Sequence, residues 1–235
     1  MDLTRVFSAA DFAALAIFVV CWFAYEPLLK AIARGRGAIN TDMTVLRLAW
    51  MRNMAVRENR FMDGQLLGHT LNSASFFASS NLILIAAAAG VLFGGEATFR
   101  SASSLIVLKT SSRLLFETQI ALVVLALARG LLDFIWSIRQ MNYCIAVIGA
   151  APDTEDKARQ QAYGEAAAQL MNPALSAFNA GVRGYYFALA AAAWLFGPIA
   201  FAVATLSAVA LLLYRQRRSP AAKAVNTLRR LIEEP

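Results

Sequence analysis

Arg129 and Asp133 stand four residues apart in an apolar stretch, so a helix brings a base and an acid onto one face. Charges are costly in an apolar medium, and a local pair is the arrangement that lowers the cost. Acid after base is the weaker order for such a pair. Two readings therefore stand side by side, a functional pair and a structural one near an interface. A second polar set, Asn72, Ser75, Ser79 and Asn81, occupies the first half of another apolar stretch, and Arg183 adds an isolated base to a third. Such residues either line a path for a small solute or ion, or supply hydrogen bonds between helices. A third set joins Arg57, Arg60 and Asp63 with Arg139, Gln140 and Asn142, each group lying just beyond an apolar stretch. Opposite charges and amides there can satisfy one another at a membrane edge, so one cluster is expected, as a functional site or as a staple.

Other chemistry finds no pattern. There is one histidine, His69, and the two cysteines, Cys21 and Cys144, form no Cys-x-x-Cys motif. No phosphate-binding loop, dinucleotide fingerprint or nucleophile elbow is recognisable. The expectation is a chain without catalytic residues, metal or cofactor.

The elements that position these residues are helices in lipid. Of 235 residues, 59% are hydrophobic and 16% charged, and mean hydropathy is +0.53. A soluble domain carries about 25% charged residues. A bilayer core about 30 Å thick needs roughly 20 helical residues. Apolar spans are read at about 7–29, 71–93 and 117–138. The first shows no small-residue cleavage site around Cys21–Glu26 and reads as a span, not a cleaved leader. The last apolar run, Tyr185 to Tyr214, has no charge and is interrupted by Gly197-Pro198. It is too long for one simple span. The favoured reading is a hairpin of spans 178–196 and 198–214, with the small residues Ala180, Gly184, Ala188 and Ala192 packing on Ala200, Ala204 and Ala208. The rival is one kinked helix. The fold class is thus an all-α, polytopic transmembrane bundle of four or five spans with cytoplasmic amphipathic helices.

Charge sets the orientation. Residues 30–70 hold seven bases (Lys30, Arg34, Arg36, Arg47, Arg52, Arg57, Arg60) against three acids, and the tail 215–235 holds six against two. Both read as cytoplasmic, which places the N-terminus outside and, with the hairpin, the C-terminus inside. Within the basic loop, Gly35 and Gly37 act as breakers, Thr41 or Asp42 as a helix cap, and Met43, Leu46, Trp50, Met54 and Phe61 as one apolar stripe. That stripe suggests a helix on the membrane surface, or one packed on the protein itself. Residues 95–116 form an external segment. Asp153–Asp156 after Pro152 starts a helix over 154–170, and Asn172-Pro173 restarts one. The basic surfaces fit anionic lipid headgroups better than nucleic acid, since aromatic reading motifs are missing. The small-residue helix faces fit a homo-oligomer or a larger membrane complex.

Several stretches taken together are familiar: Trp50-Met51; Arg57-Glu-Asn-Arg60; Asp63-Gly-Gln-Leu-Leu67; Ser75-Phe-Phe-Ala-Ser79; Phe134 to Cys144 with Ile148-Gly149; and Phe178-Asn179 with Arg183 to Phe187. The chain resembles the bacterial domain-of-unknown-function 599 family of polytopic membrane proteins over roughly residues 7–220. The resemblance implies an uncharacterised inner-membrane protein and no substrate. Two function classes follow: a non-catalytic scaffold or accessory subunit acting through lipid or protein contacts, or a small-solute or ion transporter using the polar face of span two and the Arg129/Asp133 pair.

Overall fold

A computed structural model describes residues 6–33, 37–105, 108–109 and 112–234. Arg34, Gly35 and Arg36 of the basic loop lie outside the described residues. The described chain is all-α: α1 (Ala9–Ala33), α2 (Ile39–Val56), α3 (Phe61–Phe93), α4 (Gly95–Ser103), α5 (Arg113–Gly149), α6 (Lys157–Ala192), a 3-10 turn (Ala193–Phe196), α7 (Pro198–Arg217) and α8 (Pro220–Glu233). Four stretches are long and apolar enough to cross a membrane: Ala9–Ile32, Phe61–Phe93, Arg113–Gly149 and Pro198–Glu233. The last includes both α7 and α8.

Local chemistry sets the helix ends. Asn59 Oδ1 accepts the Phe61 N–H at the start of α3 (2.9 Å). Asp156 Oδ1 accepts the N–H groups of Ala158 (3.0 Å) and Arg159 (3.2 Å) at the start of α6. Ser219 caps α8 through the Ala222 N–H, with Pro220 in the first turn. Three expectations need correction. Helix α2 begins at Ile39, ahead of Thr41 and Asp42, so neither is its cap. It ends at Val56, so Phe61 belongs to α3. Helix α6 runs unbroken through Pro173. Proline removes one backbone donor there, yet Met171 and Ala174 on either side are fully buried and Ser137 Oγ donates to the Ala174 carbonyl (2.7 Å). Packing holds the helix where its local signal would end it.

The chain divides into two compact units. The first gathers the described parts of Met1–Leu29, Ser80–Leu131 and Val182–Leu212. Its centre is aromatic. Phe18 meets Phe187 and Phe201 with ring centroids 5.8 and 5.1 Å away, Trp22 stacks on Phe187, and Trp194 stacks on Phe201 at 4.9 Å. Offset and edge contacts of this kind stabilise by roughly 0.5–1.5 kcal/mol each beyond burial. Gly184 does not face α7. A Cβ built on it would stand 3.0 Å from Gly130 Cα on α5, and Ala188 clusters with Ala126 and Leu127. The small face of α6 is therefore used against α5. Trp194, Phe201 and Phe18 do the work at the bend that was expected of an alanine face.

The second unit gathers Lys30–Ser79, Leu132–Gly181 and the described part of Leu213–Pro235. Met51, Met54, Leu67, Met141, Cys144, Ile148 and Met171 form its buried core. Helix α2 turns Met51 and Met54 into that core, so it packs on the protein itself. Helix α6 approaches α2 backbone to backbone at Gly164, where a Cβ would fall 2.7 Å from Arg52 Cα. This unit also decides between hairpin and kinked helix. Asn40 Oδ1 accepts from Asn179 Nδ2 (3.0 Å), and the Asn40 N–H donates to Gln216 Oε1 (3.1 Å). A continuous helix would hold residues 179 and 216 about 55 Å apart. The chain therefore turns back on itself, at Gly197, whose φ of +108° ends the 3-10 turn before Pro198 opens α7.

Candidate functional site

The link between α2 and α3 gathers most of the chemistry of the second unit. Arg57 leaves the helix in extended conformation (φ −79°, ψ 138°). Six residues later Asp63 enters with the first turn of α3, where the helix dipole favours an acid. Asp63 is fully buried. Its Oδ1 accepts the Trp50 indole N–H (2.7 Å) and pairs with the Arg57 guanidinium, while Oδ2 has no hydrogen-bond partner. Arg60 donates to the carbonyls of Met54 (3.4 Å), Ala55 (3.4 Å) and Pro152 (3.3 Å). A cation is thereby placed on the carbonyls of the last turn of α2.

Two grooves flank the link. One, of about 590 Å³, is lined by Trp50, Arg57, Met62, Leu66 and Thr70. The other, of about 510 Å³, is lined by Glu58, Arg60, Phe61, Gly64, Gln65, Ile145, Ile148 and Gly149. The formal charges of Arg57, Glu58, Arg60 and Asp63 cancel, so this region is amphipathic and not an anion trap. Nothing in it pairs a nucleophile with a base.

The structure splits the expected six-residue cluster. Arg57, Arg60 and Asp63 come together with Trp50. Arg139, Gln140 and Asn142 bond within their own helix, to Tyr143 Oη (3.1 Å), the Trp136 carbonyl (3.4 Å) and the Ile138 carbonyl (3.1 Å). Three residues in a helix point to three sides, and only Gln140 is buried. The residues of span two also scatter. Asn72 and Ser79 are exposed and Ser75 is half-buried, while Asn81 is buried and donates to the Leu127 carbonyl (2.9 Å). Arg129 is exposed and Asp133 half-buried, a turn apart on α5. Arg183 pairs with Glu26 and lies 5.5 Å above the Tyr25 ring, a cation–π distance.

Other polar residues make contacts that the sequence reading did not assign to them. Asp42 is 1% exposed; its Oδ2 accepts from Asn226 Nδ2 (3.1 Å), and its Oδ1 stands 3.1 Å from Arg229 Nε. Asp11 accepts from the Trp194 indole (2.7 Å) and from Ser8, and Gln119 donates to the Trp194 carbonyl (3.0 Å). Arg47 is buried, its Nε has no hydrogen-bond partner, and burial alone lowers its pKa to about 10. On the surface, Arg52 pairs with Glu165 at 2.6 Å. Hydrogen bonds from Arg52 and then Gln161 hold the Glu165 carboxyl below its ordinary value.

Long apolar helices, a bend held by aromatic rings and amide-to-carbonyl bonds between helices define a multi-pass helical membrane protein. The chain belongs to the family described as protein of unknown function, DUF599, which matches residues 13–221. No curated protein and no solved structure matches it.

Proposed function

We propose that this is a non-catalytic protein of the bacterial inner membrane that works through contacts with lipid and with other proteins, as a scaffold or accessory subunit. Its N-terminus faces outward, and its basic helices α2 and α8 lie on the cytoplasmic side. The observation that carries the reading is the outer side of α3. Across the most apolar stretch of α3 only 6% of residues are buried, against 33% in α5. Phe76, Ile83 and Phe93 stand 68%, 69% and 83% exposed. A transporter would gather the polar residues of span two around a path. Here Asn72 and Ser79 are exposed, and Asn81 alone is buried.

Photo-crosslinking from position 83 in native membranes tests this. Adducts with lipid or a discrete protein are expected there, and none from the buried position 74. Solute flux through proteoliposomes of the purified protein, lost in Asn81→Leu while the fold persists, would replace the reading with transport.

A further inference from the structure

Helix α8 has three sides of different chemistry. At 3.6 residues per turn, Ala222, Asn226 and Arg229 share one side. Ala222 and Arg229 are buried, and Asn226 and Arg229 hold the buried Asp42 carboxylate of α2. Leu228, Leu231 and Ile232 fall within an arc of about 100° and are 49%, 70% and 47% exposed. Lys223 and Arg230 stand exposed along the flank of that arc. The acidic latch fixes the roll of the helix about its own axis. Its apolar side is thus held outward and cannot fold back onto α2.

Position says what covers that side. Helix α7 is an apolar helix long enough to cross a membrane, and α8 begins three residues after its end, with Arg218 and Ser219 between. Ser219 makes the turn tight, its Oγ donating to the Arg215 carbonyl (2.7 Å) and accepting from the Ala222 N–H (3.1 Å). The three residue steps from Arg217 to Pro220 reach at most about 11 Å, so α8 starts close to the depth where α7 leaves the bilayer. Tyr214, Arg217 and Arg218, all exposed, occupy that exit, as interfacial aromatic and basic residues do. An exposed apolar arc with bases on its flank, at headgroup depth, complements an anionic bilayer surface in both respects.

We infer that α8 is a membrane-surface helix which seats Leu228, Leu231 and Ile232 at the headgroup–acyl boundary of an anionic bilayer, with Asp42 setting its roll. The inference rests on the membrane reading above.

The test uses the full chain with Cys21→Ser and Cys144→Ala, a single cysteine introduced at 231, 223 or 83, and an environment-sensitive dye. The protein is reconstituted in vesicles containing brominated phosphatidylcholine, with and without phosphatidylglycerol. Emission from position 231 should be quenched by the brominated chains, more strongly with phosphatidylglycerol, while emission from 223, about 80° outside the apolar arc, is retained. A water-like, unquenched spectrum at 231 in both lipids overturns the inference. So does burial at 231 that depends on protein concentration and not on brominated lipid, which would mean a second copy covers the arc. Position 83 separates the two readings. If it too is unquenched, the membrane reading fails; if it is quenched and 231 is not, only the role of α8 fails.

Discussion

The two units solve the same problem, burying polar atoms, by different means. In the first, neutral amides reach helix carbonyls: Asn81 to Leu127, and Gln119 to Trp194. Its buried acid, Asp11, is held by hydrogen-bond donors of Ser8 and Trp194. In the second, buried carboxylates are held by guanidinium groups, Asp42 by Arg229 and Asp63 by Arg57. A neutral amide joined to a carbonyl strands no charge, even though Asn81 Oδ1 and Gln119 Oε1 are buried without a hydrogen-bond partner. A buried ion pair needs both partners, because losing one strands a charge. The mode of polar satisfaction thus differs between the two units, and it predicts unequal costs for mutation.

The largest effect should come from Asp42→Ala. Arg229 would remain buried with only the half-exposed Glu233 carboxylate beside it (2.7 Å), at a cost of up to about 3 kcal/mol, read as a fall in unfolding midpoint in mild detergent. Arg47 offers the reverse case. Replacing a buried base that has no acid partner among the described residues by an apolar side chain, Arg47→Met, should raise stability by removing an uncompensated desolvation cost; a loss there would reveal a counter-charge. Next come the close approaches of helices. Gly164→Ala, against the α2 backbone, and Gly184→Leu, against Gly130, should each destabilise by roughly 1–3 kcal/mol through overpacking. Asn81→Leu should cost only about 0.6 kcal/mol, as interhelical bonds in lipid do. If Asn81→Leu proved as damaging as Asp42→Ala, the contrast between the units would collapse. The smallest effect sharpens it at the surface. Glu165 titrates below its ordinary value in the fold, so its pairing with Arg52 stabilises above the unfolded pKa. That contribution is lost as pH falls through the folded one. In Arg52→Gln this acid-side loss should shrink, visible in unfolding curves between neutral and acid pH.

Much of the fold was legible because membrane spans are written in length and hydropathy, and because Gly197-Pro198 marks a reversal by local chemistry. The surface placement of α2 was not legible. Its stripe of Met and Trp fits lipid and a protein core equally well, and only tertiary contacts choose between them. The Trp50, Arg57 and Asp63 group was partly legible, since its members sit within fourteen residues of one another. Asp42 was not, because its partner Asn226 lies 184 residues away, and no spacing rule reaches that far. Gly164 was hidden for a similar reason: the backbone that demands a glycine there belongs to α2, more than a hundred residues earlier.

The Asn40 and Asp42 contacts also set a schedule. Asn40 waits for Gln216, 176 residues on, and Asp42 for Asn226, 184 residues on. At a synthesis rate of about 5–20 residues per second, the gap is roughly 10–40 s. Throughout that interval α2 carries an acid that it cannot yet bury. Completion of its polar contacts is therefore the late step, because Gln216, Asn226 and Arg229 are the last of its partners to be made. A chain stopped short of α8 leaves the Asp42 carboxylate with the Gly37 N–H and without Asn226 and Arg229.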